Sequence, residues 1–156
     1  MKKEEIQIVY QEYETLSELP PQERMLIEKA HEAAKNAYAP YSKYHVGAAI
    51  LLKNGAIILG NNQENVAYPS GLCAERVAIF AASANYPKEE IKAVAITAIA
   101  KDSAIKSPPF PCGSCRQVLA EYENRQTTPI KYILSAASGK SIVMTGIENL
   151  LPFPFV

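Results

Sequence analysis

The chain has 156 residues, 48% of them hydrophobic, enough for one domain with a sizeable core and too few for two. Sixteen basic residues, evenly spread, balance sixteen acidic ones, which argues against a nucleic-acid partner. No apolar run spans a bilayer, the charged start Met1-Lys2-Lys3-Glu4-Glu5 leads into no signal core, and three cysteines are an odd number for a disulfide framework. A soluble cytoplasmic protein with reduced thiols, and no membrane partner, is the expectation.

Ile6, Ile8 and Tyr10 alternate through about Leu16, which predicts a short leading strand, either a sheet edge or an arm used in assembly. Pro20-Pro21 opens a helix where proline is best tolerated, and Leu26, Ile27, Ala30, Ala33, Ala34 and Ala37 mark its buried stripe up to Ala39-Pro40. His31 falls on its surface. Apolar runs at 46–52 and 56–59 flank Lys53-Asn54-Gly55, a strong hairpin signal. A polar stretch at 60–70 leads to a helix that starts near Cys73 and fades by 84–87. The run at 91–100 reads as a central strand covered on both faces. A proline-containing loop at 103–111 feeds a helix that extends to about Glu123. Strands at 130–136 and 141–145 are separated by too few residues for a parallel crossover, so they form an antiparallel hairpin. A short closing helix at 147–151 precedes the tail Pro152-Phe153-Pro154-Phe155-Val156. The order predicts an α/β fold of three layers, α/β/α, around a mixed five-stranded sheet. Residues 1–19 form an N-terminal extension of the same unit, and 20–156 a single domain.

All three cysteines lie at the starts of the two central helices: Cys73, Cys112 and Cys115. Unpaired N–H groups and the positive end of the helix dipole favour thiolates there. Three thiolates suit a soft tetrahedral cation, zinc first, and leave a fourth position open, as catalytic zinc sites do. Glu75 stands beside that opening, so a metal-assisted hydrolytic site follows. A net-negative zinc–thiolate group needs an offset; Arg76 and the helix N-termini are the candidates, with Gln117 as a hydrogen-bond donor behind the ligands. Blander readings stay open: buried structural cysteines, a Cys-x-x-Cys redox pair with a bystander, or Glu75 as an ordinary first-turn acid.

Cys-Ala-Glu-Arg at 73–76 and Pro-Cys-Gly-Ser-Cys-Arg-Gln at 111–117 resemble the zinc-dependent cytidine deaminases of the small, homotetrameric type. The wider zinc deaminase class holds its metal with His-Cys-Cys or three cysteines and uses a Glu that is not a ligand. Pro-Tyr-Ser-Lys-Tyr-His-Val-Gly-Ala-Ala at 40–49, Gly-Asn-Asn-Gln-Glu-Asn-Val-Ala-Tyr at 60–68 and Leu-Leu-Pro-Phe-Pro-Phe at 150–155 resemble further motifs of that family, in its order.

The resemblance implies one Zn2+ per subunit on Cys73, Cys112 and Cys115, with Glu75 as the catalytic proton shuttle. It implies that Asn62 and Glu64 hold the ribose and that Tyr44, Ala74 and Phe155 bind the nucleoside. Phe155 would come from a neighbouring subunit, with Phe153 its rival. Cytidine and 2′-deoxycytidine would be hydrolysed to uridine and 2′-deoxyuridine with release of ammonia, in pyrimidine salvage. The alternatives are a deaminase of a modified nucleoside such as blasticidin S, or a non-catalytic zinc-stabilised binding domain. Nucleic-acid editors of the superfamily separate the last two strands with a helix, and none is predicted here. The family usually has Phe at Tyr44 and often Pro at His45; the 69–72 stretch, the 103–111 loop and the extension also depart from it.

Overall fold

The computed structural model describes residues 1–100 and 105–155. Six strands make one sheet: β1 (Gln11–Tyr13), β2 (Tyr44–Leu52), β3 (Ile57–Asn61), β4 (Ile91–Ala100), β5 (Lys131–Ser135) and β6 (Ser141–Thr145). Their spatial order is β1-β6-β5-β4-β2-β3, with β4–β5 the only parallel neighbours. The Asn54-Gly55 turn joins β2 to β3 as its residues demand: Gly55 takes a φ of 89°, which a Cβ would oppose.

Three helices cover the sheet: α1 (Pro21–Ala34), α2 (Ala74–Asn85) and α3 (Gly113–Asn124). Strand alternation sorts the core into two layers. Ala49 and Leu51 of β2, with Ala93 and Ala95 of β4, meet Leu26, Ile27 and Ala30 of α1 on one face. Ala48, Ile50, Val94 and Ile96 point the other way, against Ala78, Ile79 and Leu119 of α2 and α3. The three-layer mixed architecture is therefore as predicted.

The strand count is not. Five strands were expected in the sheet, and there are six, because the leading segment supplies β1. It is shorter than its pattern suggests: residues 11–13 pair antiparallel with β6, while Ile6, Ile8 and Tyr10 stay more than half exposed outside any strand. Only where the chain meets the free edge of β6 does it find a strand to pair with; upstream, the Val9 N–H donates to the Asn149 side chain at 2.8 Å instead. The first helix stops at Ala34, short of Ala39-Pro40, as Asn36 and Ala37 donate to the carbonyls of Ala33 and Ala34 in tighter turns. The closing helix is a single 3-10 turn, Ile147–Asn149. In the predicted loop 103–111, Ser103 and Ala104 lie outside the described residues. No helix among the described residues is long and apolar enough to cross a membrane.

Candidate metal and nucleoside site

The site follows from strand direction. β3 and β4 both run antiparallel to β2, so they are parallel to each other, and each leads into a helix on the same face. α2 and α3 thus both begin at the carboxyl edge of the sheet, where open α/β sheets bind ligands. Cys73 is the N-cap of α2 and Cys112 the N-cap of α3, with neither side chain spent on a capping bond; Cys115 lies in the first turn of α3. Gly60 seats α2 against β3: a Cβ there would lie 2.5 Å from both the Ala74 carbonyl oxygen and the Ala78 nitrogen.

The three sulfurs lie within 4.8 Å of one another. Cys73 Sγ is 3.8 Å from Cys112 Sγ, which is 3.4 Å from Cys115 Sγ. Disulfide sulfurs approach to about 2.05 Å, so these are thiols. Thiolates held tetrahedrally at about 2.3 Å from a zinc ion sit about 3.8 Å apart, and the spacing observed fits that ion. Among the described residues no fourth His, Cys, Asp or Glu joins the group. Arg76 brings Nη2 to 3.8 Å from Cys73 Sγ, while its Nε is buried without a partner. A hydrogen bond from Cys115, with further help from Arg76, holds the Cys73 thiol down to about 5. The same bond and burial push Cys115 far up.

Glu75, in the first turn of α2, is 5% exposed. Burial, with the charge of Cys73 as a lesser contribution, pushes its carboxyl up to about 7. Tyr44 opens β2 and is exposed, and its phenol is raised by partial desolvation and by the Glu75 charge, so it lies within that carboxylate's field. Ala74 is fully buried at the first position of α2. A cavity of about 520 Å³ reaches Cys73 and Arg76 from the side of Tyr41, Ser42, Asn62 and Glu64. That is a volume suited to a small molecule.

Asn62 and Glu64 thus line the cavity that reaches Cys73, though both side chains also hold backbone. Asn62 accepts from the Val46 N–H at 2.8 Å and donates to the Tyr44 carbonyl at 2.9 Å. Glu64 accepts from the backbone N–H groups of Tyr41 and Ser42 and from the Ser42 hydroxyl. Gln117 is used differently from the sequence expectation of a donor near the sulfurs. Its amide accepts from the Phe155 N–H at 2.9 Å and donates to the Phe155 carbonyl at 2.8 Å, pinning the tail to α3. Phe155 itself stays 87% exposed.

Two contributors escaped the sequence reading. Arg116 donates from Nε to the Pro111 carbonyl (2.8 Å) and from Nη1 to the Leu150 carbonyl (2.7 Å), bracing the loop that carries Cys112. Its signals were adjacency to Cys115 and a place in the 111–117 motif, neither of which pointed to this bracing role. Ser42 and Glu64 each fell in a family-like motif, but nothing in the sequence paired them across 22 residues.

A cluster of three thiols at the carboxyl edge of a mixed sheet, two of them helix N-caps, defines a zinc-site α/β protein. Residues 20–129 match the family described as the cytidine and deoxycytidylate deaminase zinc-binding region, and the chain belongs to that family. It is 47% identical over 132 residues to the cytidine deaminase of Halalkalibacterium halodurans, covering 85% of this chain and 92% of that one. It superposes on the crystal structure of cytidine deaminase from Burkholderia pseudomallei with a TM-score of 0.74 at 35% identity, covering 84% and 97% of the two chains. A more distant relative is the blasticidin-S deaminase of Bacillus cereus, 34% identical over 86% of this chain and 92% of that protein.

Proposed function

We propose that this chain catalyses the zinc-dependent hydrolytic deamination of cytidine and 2′-deoxycytidine. Water is consumed, ammonia leaves, and uridine or 2′-deoxyuridine remains, a reaction of pyrimidine salvage in the cytoplasm. The observation that supports this most is the three-sulfur cluster whose Cys73 lines a cavity of small-molecule size, with one buried carboxyl beside it.

Zinc bound by Cys73, Cys112 and Cys115 supplies Lewis acidity, which makes a water nucleophilic at neutral pH. Glu75 moves the protons. Its raised carboxyl is suited to giving one to ring N3 as oxygen adds at C4, and then to passing one from that hydroxyl to the leaving amine. Arg76 offsets the charge on the thiolates. Tyr44 and the backbone at Ala74 flank the base, and Asn62 and Glu64 hold the sugar. In a homotetramer, Phe155 of a neighbouring subunit covers the base; its exposure on a tail tied down by Gln117 supports that placement. Residues 20–156 form the catalytic domain and 1–19 an extension of the same unit.

The test is metal content together with ammonia release and the ultraviolet change on cytidine, with blasticidin S alongside. About one zinc per chain and turnover of cytidine are expected. Turnover of blasticidin S alone would move the substrate to the modified nucleoside. A zinc-loaded chain inert on both is a binding domain, and the proposal fails.

A further inference from the structure

The Glu64 carboxylate is unusually committed. Its Oε2 accepts the Tyr41 N–H at 2.9 Å and the Ser42 N–H at 3.3 Å, and its Oε1 accepts the Ser42 hydroxyl. An ionised carboxylate has about four lone-pair sites. Three are taken, and one remains, on Oε1. Ser42 and Glu64 both line the cavity that reaches Cys73, so that site is available to a ligand there. Ser42 also accepts the Tyr44 N–H at 3.1 Å, which ties the clamp to the first residue of β2.

We infer that Ser42 is a positioning residue: it fixes Glu64 so that the carboxylate receives a single sugar hydroxyl of the nucleoside and no second one. This rests on the proposed deaminase reading. The Ser42 hydroxyl is the main cause that holds the Glu64 carboxyl below its ordinary range, so the group stays ionised and acts only as an acceptor. A hydroxyl donor satisfies it; an ether or a missing hydroxyl leaves it short of a partner. Because one acceptor serves one donor, a substrate pair differing in the other hydroxyl is handled alike.

Steady-state kinetics of the zinc-loaded wild type, Ser42→Ala and Ser42→Thr on cytidine, 2′-deoxycytidine and 3′-deoxycytidine test this. In the wild type, loss of one hydroxyl lowers kcat/KM about 10- to 100-fold, as expected of a charge-assisted hydrogen bond, and loss of the other less than about 3-fold. Ser42→Ala raises KM for cytidine about 10-fold with kcat nearly unchanged, and shrinks the penalty for the sensitive hydroxyl. Ser42→Thr restores the wild-type pattern. A purely structural role would lower melting temperature without erasing that discrimination. The inference is overturned if Ser42→Ala keeps the wild-type KM, if its loss falls on kcat, or if both deoxy analogues suffer equally. A wild-type enzyme inert on cytidine sinks the deaminase reading and this inference with it, whereas an active wild type with an indifferent Ser42→Ala sinks this inference alone.

Discussion

Gly60 packs against the start of α2 and Gly113 follows Cys112 at the start of α3, and the structure assigns them opposite fates. Gly60 lies in β3, in a backbone conformation that alanine adopts freely. The obstacle is contact: its Cβ would fall 2.5 Å from the Ala74 carbonyl oxygen, so the start of α2 must retreat by about 0.9 Å to reach an ordinary 3.4 Å contact. Overpacking of this kind costs about 1–3 kcal/mol. For a domain of this size, that lowers Tm by roughly 2–12 °C. The larger consequence is chemical. Cys73 is the N-cap of that helix, and zinc–ligand distances tolerate deviations of only about 0.2 Å. Gly60→Ala should therefore lose zinc to a competing chelator well before the wild type does. Gly113→Ala places a Cβ with nothing within 4 Å, at the first position of α3. It should keep the metal and be neutral or stabilising by up to about 1 kcal/mol. Chelator competition followed by a zinc-sensitive dye, with melting curves for both variants, reads the difference. Equal zinc retention in Gly60→Ala and wild type would refute the reasoning, because it would mean that α2 can retreat without moving its sulfur.

Glu75→Gln should retain stoichiometric zinc yet lose about 10²- to 10⁴-fold in rate on cytidine, the usual share of a positioned acid–base group, as read by metal analysis and ultraviolet turnover. Arg76→Ala removes the cation 3.8 Å from Cys73 Sγ; faster zinc loss to a chelator or slower turnover is expected, and unchanged values of both would remove its role. Arg116→Ala strips two bonds from the carbonyls of Pro111 and Leu150, at about 1.5–3 kcal/mol each, with a corresponding drop in denaturation midpoint. Arg116→Lys cannot span both carbonyls and should recover only part of that loss. Metal removal should lower Tm, and restoring zinc in excess should return it, because the three sulfurs come together only when the two helix starts are in place.

The sequence alone determined what is local. Asn54-Gly55 specifies its hairpin, Pro20-Pro21 the start of α1, and Cys-Ala-Glu-Arg with Pro-Cys-Gly-Ser-Cys the donor set, because turn geometry, capping and ligand softness are properties of the residues themselves. Even the three layers were legible, since strand and helix periods differ. What only the tertiary structure decided involves partners far away in the chain. Residues 11–13 become a strand because β6 offers them an edge, and the same alternating pattern at Ile6 and Ile8 finds none. Gln117 reads as a donor for the sulfurs, but its amide is taken by Phe155 across 38 residues. Cys73 and Cys112, 39 residues apart, meet because β3 and β4 are parallel and send both helices off the same edge of the sheet. A side chain carries its chemistry wherever it goes, whereas the company it keeps depends on strand directions and edges that exist only once the whole sheet has assembled.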